Sequence, residues 1–221
     1  SRGFEIAMAA NVAEFPREFA PLLQDHRAIY SSLGNLTITP GPKQPMDDPA
    51  LLDLAAAVLK TTVNTYPQVD ILVPAIPEIA SWTDQYQKAW KALDAKYDLT
   101  SKFDIEDLIK AAHNRRGYAA GPERAVTEVK ANIAALHMID RLFSERDVLA
   151  DTKRPDAIIS FSSMAEEVLP LVLPAGSETL NLLDYTPERI VARPDAFRGV
   201  RNDRVQHTLI FTLHDDNVGV L

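Results

Sequence analysis

Cysteine is missing altogether. Disulfide scaffolds, thiolate zinc sites and cysteine nucleophiles therefore fall together, because each needs a sulfur the chain does not have. Glycine is scarce, eight in 221 residues, and neither GxGxxG nor GxxxxGK[ST] occurs, so dinucleotide and P-loop chemistry lose the backbone-lined phosphate turn they depend on. Basic charge is short as well. Lys and Arg number 23 against 31 Asp and Glu, a net charge of −8 at pH 7, and no basic run is longer than the pair Arg115-Arg116, which is the wrong sign and pattern for a nucleic-acid partner. No apolar run approaches the roughly 18 residues needed to cross a bilayer, so no membrane span is expected. Ser160, Ser162 and Ser163 do not sit in a GxSxG elbow, which removes the serine-hydrolase reading.

What is present suits a packed core. With 46% hydrophobic and 24% charged residues, the chain can bury enough apolar surface to fold, and disorder is excluded on composition. The N-terminal Ser1-Arg2-Gly3-Phe4 carries no initiator Met and no signal-peptide pattern, while the chain ends in Val218-Gly219-Val220-Leu221. Both ends read as cuts through a longer protein, whose remainder is an expected partner.

Apolar periodicity gives an alternation of strands and helices. Phe4, Ile6 and Met8 recur at period two and predict a strand leading to Asn11 and then Glu14. A Gly- and Pro-rich loop over 34–49 follows, with an extended piece at Leu36-Thr37-Ile38-Thr39. Asp48-Pro49 is a helix start, an N-cap carboxylate before a proline whose missing N–H costs nothing there, and the helix runs to about Asn64. Val69 to Ile76 predicts a second strand, buried on both faces and closed by Pro77-Glu78. Ser81 and Asp84 resemble a capping box opening a helix through Trp82, Tyr86, Trp90 and Leu93. Asp104 caps a short helix, and the longest helix spans about Glu123 to Leu149, where Val126, Val129, Ile133, Leu136 and Leu142 recur at spacings near three and four. Strands over 156–163, 179–185 and 206–216 complete the order, with a short helix over 165–173 and a charged loop over 188–204. Strands separated by helices pair in parallel through crossovers, hence an α/β architecture.

Two α/β solutions compete, the open doubly wound sheet and the closed barrel. Without a glycine-rich phosphate turn the first loses its usual sign. Several strands instead finish in polar or ionisable groups, which a barrel would gather on one rim. Glu78 closes an apolar strand after Thr65-Tyr66-Pro67-Gln68-Val69-Asp70, and Asp215-Asp216 close another strand three strands later. That layout resembles the retaining (β/α)8-barrel glycoside hydrolases. The resemblance implies an acid/base carboxylate at the end of barrel strand four and a nucleophile at the end of strand seven. It makes the chain a partial TIM barrel of about five parallel strands with intervening helices. Residues 1–221 would then form the central and C-terminal part of one barrel domain, roughly strands three to seven, truncated at both ends. It further implies a carbohydrate substrate, no cofactor and a secreted or periplasmic setting.

Glycosidic hydrolysis needs one carboxyl group to protonate the leaving oxygen and a second to attack the anomeric carbon or activate water, about 5 Å apart for retention and about 6.5–9.5 Å for inversion. Glu78, behind a row of Val, Ile and Pro, suits the acid, or else salt-bridges a neighbour. Asp216 is the first choice for the partner carboxylate and Asp215 the second; the alternative is that Asp215-Asp216-Asn217 form a turn. Asn11, Asp184, Tyr185 and His214 end strands on the same rim and are candidate substrate contacts, with Tyr185 equally suited to packing under a loop and His214 to a hydrogen bond in the core. Trp82 could stack on a pyranose face or mark a helix core face with Trp90. Two other functions fit the same layout. A metal-dependent barrel hydrolase would need more His than His214 supplies at strand ends, so no metal ligand set is assigned. A non-catalytic barrel that binds carbohydrate would need none of these carboxylates for activity.

Overall fold

A proline and an aspartate set the first long helix. In the computed structural model, which describes residues 6–23, 29–32, 37–40, 45–75, 82–114, 121–148, 157–160, 168–172, 178–184 and 205–210, helix α1 (Pro49–Thr65) begins with Pro at its first position, and the Asp48 carboxylate accepts from the Ala50 N–H at 3.0 Å. Leu51, Leu52, Ala55, Ala56 and Leu59 fall on its buried face, spaced as one side of a 3.6-residue helix requires. It stops at Tyr66, whose N–H reaches back to the Thr62 carbonyl, because Pro67 disfavours helical backbone in the residue before it.

Four further helices follow: α2 (Tyr86–Tyr97), entered through a 3-10 turn at Thr83–Gln85, α3 (Ile105–His113), α4 (Pro122–Arg146) and α5 (Leu169–Val172). Asp104 caps α3 by accepting from the N–H groups of Glu106 and Asp107. Helix α4, 25 residues and so about 37 Å long, is the centre of the packing. It contacts α1, α2, α3 and α5, and Val129, Ile133, Leu136, Ile139 and Leu142 are all buried. Helices α1 and α4 run in the same direction, since Asp47 lies beside His137 at one end and Arg146 Nε donates to Asp53 Oδ1 at 2.6 Å further along.

The strands are β1 (Ala7–Asn11), β2 (Phe15–Pro16), β3 (Ile29–Ser32), β4 (Thr37–Pro40), β5 (Ile71–Ala75), β6 (Ala157–Ser160), β7 (Glu178–Asp184) and β8 (Val205–Ile210). One sheet has the order β1-β5-β6-β7-β8 with parallel neighbours, and a second, antiparallel, has the order β2-β4-β3. Pro74 lacks one ladder donor. The β5–β6 ladder beside it consists of Ala75 opposite Ile159. Strand order in the first sheet advances in one direction, so right-handed crossovers place the helices on a single face. Ala10 and Leu72, on one face, join the core shared with the helices; on the other face Val73 is buried while Ala9 beside it is exposed.

The partial (β/α)8 barrel expected from the sequence is overturned. The described residues are mostly helical, and the strands are short and divided between two small sheets, one of them antiparallel. Three helices in succession, α2, α3 and α4, separate β5 from β6, with α2 and α3 each packed on α4, where a barrel repeat would place one. Strands β1 and β8 are the two ends of their sheet, with no pairing between them among the described residues. Period-two patterning and polar strand ends are common to open and closed parallel sheets; closure depends on stagger and tilt, for which single strands carry no code. The extended piece expected at Leu36-Thr37-Ile38-Thr39 within the Gly- and Pro-rich segment is β4 (Thr37–Pro40), whose Ile38 is buried in the core shared with the helices.

Candidate functional site

Parallel strands gather their carboxyl ends on one side, and open α/β sheets bind ligands outside those ends. Here Asn11, Ala75, Ser160, Asp184 and Ile210 are the last strand residues on that side. At the end of β1 the chain turns back on itself: Asn11 Oδ1 accepts from the Ala13 N–H at 3.1 Å, an Asx turn. The Asn11 Nδ2 donates to Glu14 Oε2 at 2.9 Å, and Thr37 Oγ1 donates to Glu14 Oε1 at 2.5 Å. The half-buried Glu14 therefore ties the carboxyl end of the parallel sheet to β4 of the antiparallel one. Thr39, two positions along β4 and on the same face as Thr37, is 1% exposed, and its hydroxyl has no hydrogen-bond partner among the described residues.

Sequence-derived site residues meet different fates. Asn11 is at the expected strand end, but both ends of its amide are engaged within the protein. Trp82 is 1% exposed and belongs to the core, so in this structure its ring offers no face to a sugar. Its backbone is left-handed, φ 57° and ψ 17°, and its indole N–H has no partner among the described residues. Asp184 closes β7 opposite Ile210. The register puts Asn11 level with Ala75, Ile159 and Leu180, so Asp184 lies three strands across and four residues further on, about 14 Å by about 13 Å. The sheet does not bring Asn11 and Asp184 together. Glu78, Tyr185, His214, Asp215 and Asp216 lie outside the described residues.

Glu14 is the carboxylate that site selection from the sequence passed over. The Asn11-x-x-Glu14 spacing at a strand end is a signal, but its partner Thr37 is distant in the chain. A second polar cluster, equally silent in the sequence, lies between α2, α4 and the segment leading into α1. There Asp47 pairs with Lys88, His137 Nε2 approaches Asp47 Oδ1 at 3.8 Å, and Arg141 holds Glu145 through both Nε (2.8 Å) and Nη2 (2.9 Å). The hydrogen bond to Arg141 lowers the Glu145 pKa, outweighing the opposing effect of burial. Deeper in, Asp140 is 7% exposed and accepts from Lys96 Nζ at 2.7 Å and from the Tyr97 hydroxyl. Burial pulls the Lys96 ammonium pKa down, but the bonds to Asp140 and Tyr97 outweigh it and the net shift is upward. That cluster pins the C-terminal end of α2 to α4.

Among the described residues no group of three or more His, Asp or Glu is placed to hold a metal ion, and no helix is long and apolar enough to cross a membrane. The chain matches no family model, no curated protein and no solved structure.

Proposed function

We propose that the carboxyl end of the parallel sheet is a carbohydrate site at which a glycosidic bond is hydrolysed by a pair of carboxyl groups, with Glu78 as the acid. The observation that carries this reading is the hydrogen-bonded set Asn11–Glu14–Thr37 at the end of β1, directly beside β5, the strand that leads after three residues to Glu78. Polar groups fixed in position at strand ends are what a hydroxyl-rich substrate requires, and a carboxyl group beyond an apolar strand is what proton donation to a leaving oxygen requires.

The first choice of partner, Asp216 with Asp215 beside it, follows β8. The ends of β5 and β8 are three inter-strand gaps apart and, with Ala75 level with Gln206, four residues out of level, about 14 Å by about 13 Å in a flat sheet, which exceeds the roughly 6.5–9.5 Å of an inverting pair. The three residues from Ala75 to Glu78 and the six from Ile210 to Asp216 would have to close that difference. A second reading puts Glu14 in the partner role. Strands β1 and β5 are neighbours, so Glu14 and Glu78 each follow adjacent strand ends by three residues, and the bonds from Asn11 and Thr37 fix the Glu14 carboxylate in place.

Aryl-glycoside turnover by the whole protein separates these cases. The reading expects Glu78→Gln to lower kcat by about three orders of magnitude or more, with Asp216→Asn or Glu14→Gln matching it according to which is the partner. Azide rescue of the matching alanine variant identifies a nucleophile. A non-catalytic carbohydrate-binding protein would show no turnover with any glycoside and unchanged sugar binding in all three variants, and that result would end the hydrolytic proposal.

A further inference from the structure

Strand β1 ends its sheet and is paired on one side only, with β5. The ladder fixes which of its backbone groups that pairing uses. The Ile71 N–H donates to the Ile6 carbonyl at 3.1 Å, and Ala7 stands opposite Ile71, so in a parallel ladder the further bonds to β5 come from the alternate residues Met8 and Ala10. The N–H and C=O groups of Ala7, Ala9 and Asn11 therefore point away from β5, and among the described residues nothing bonds to them. Sheets ordinarily blunt such an edge with Lys, Pro or a bulge. Ala7-Met8-Ala9-Ala10-Asn11 has no charge and no proline, and its register against β5 is unbroken. Ala9 is exposed. At the amino end of β1, Ile6 is 49% exposed, and Tyr66, 41% exposed, lies close by: its carbonyl takes the Val69 N–H, and the next residue, Asp70, is bonded to Ile6.

We propose that β1 is a dimerisation edge, which pairs antiparallel with β1 of a second copy of this chain about a two-fold axis at Ala9 and so joins two parallel sheets into one. The outward groups set the register. They fall on Ala7, Ala9 and Asn11, symmetrically about Ala9, so Ala9 meets its own counterpart and Ala7 meets Asn11 in both directions, each pair exchanging two N–H···O=C bonds. A two-fold at Met8 would leave Asn11 without a counterpart within β1. A methyl group is all that Ala9 brings to the axis, which leaves room for the same residue about 5.5 Å away across a hydrogen-bonded pair. No charged side chain of β1 meets a like charge there. This inference is independent of the hydrolytic reading.

A contact built on about 17 Å of strand is small beside the roughly 800 Å² per partner of a standard interface. The exposed Ile6 and Tyr66 add apolar area at both ends of it, because an antiparallel pair sets the amino end of one β1 beside the carboxyl end of the other. Two copies of net charge −8 repel each other until salt screens them. The dimer is therefore concentration-dependent and strengthens with salt, the reverse of an ion-paired contact.

Sedimentation equilibrium of the whole protein across a micromolar concentration series tests this, and the mass should rise from that of one chain toward that of two. Ala9→Pro removes the N–H at the axis, which the β1–β5 ladder does not use, and proline is tolerated on an edge in that orientation. Ala9→Lys sets two like charges opposite each other. Each variant should raise the dimer dissociation constant by at least about tenfold with the circular dichroism spectrum unchanged. Residue-resolved hydrogen exchange on the wild type at high and low protein concentration locates the contact without any substitution. The Ala7, Ala9 and Asn11 amides should gain protection with concentration, and the Met8 and Ala10 amides, bonded to β5, should be protected at both. A wild type that keeps the mass of one chain throughout, a dimer that survives both variants, or Ala7, Ala9 and Asn11 amides whose exchange ignores concentration would each overturn the proposal.

Discussion

Replacing Glu14 by Ala removes the acceptor that joins the two sheets. The wild-type carboxylate receives one bond from Asn11 Nδ2 at 2.9 Å and one from Thr37 Oγ1 at 2.5 Å. Hydrogen bonds to a charged group contribute about 1.5–3 kcal/mol each. Glu14 is half-buried, so water can partly replace it, and the pair together should contribute about 2–4 kcal/mol. Glu14→Gln keeps an acceptor for Asn11 and can donate its amide to the Thr37 hydroxyl, which also accepts, so it loses the charge assistance but not the bonds and about half the loss is expected. Urea unfolding at constant slope gives the stabilities, and a double-mutant cycle with Thr37→Val isolates the cross-sheet bond, with a coupling of about 1–2 kcal/mol expected. A Glu14→Ala protein within about 0.5 kcal/mol of wild type, or a coupling near zero, would show that the contact does not hold the sheets together.

Gly121 precedes α4 at φ +85° and ψ 169°, a region essentially reserved for glycine, and no atom lies within 4 Å of a Cβ built there; Gly121→Ala should therefore cost about 1–3 kcal/mol through backbone strain alone, read by thermal or urea unfolding. Leu136 is 1% exposed at the heart of α4, and Leu136→Ala should cost about 2–5 kcal/mol, whereas the exposed Lys91→Ala control should move stability by less than about 0.5 kcal/mol. Burial, and then the bond to Asp140, raise the Tyr97 hydroxyl above its ordinary 10.0. Its contribution to stability is complete below pH 10 and declines as pH rises toward the folded value, so Tyr97→Phe should flatten the alkaline arm of the stability profile.

Local chemistry in the chain located the helices well and the sheets' arrangement poorly. Asp48-Pro49 and Asp104 act as caps because their geometry is set by residues two and three positions away, and the Val129, Ile133, Leu136 spacing marks the buried side of α4 for the same reason. Of the expected capping pair, Ser81 lies outside the described residues; beyond it the chain takes a left-handed conformation at Trp82, and α2 starts at Tyr86 with no side-chain cap. Nor did local pattern show that Ile38 and Thr39 would be buried as part of an antiparallel sheet, since that burial comes from pairing with β2 and β3. The same limit applies at the candidate site. Asn11 was visible as a polar strand end, but Glu14 gains its place from Thr37 on another strand, and His137 from Asp47 on another element. Such partners are set by tertiary packing, and no spacing along the chain encodes them.

The most direct test of the central claim is the turnover of a glycoside panel by the whole protein and by its Glu78→Gln variant, with urea unfolding used to confirm that both are folded. The account predicts measurable hydrolysis by the wild type and a loss of about a thousandfold or more in the variant, in line with removal of a general acid and of any pairing it supports. Equal turnover by the two folded proteins, or none by the wild type on any glycoside, would contradict it.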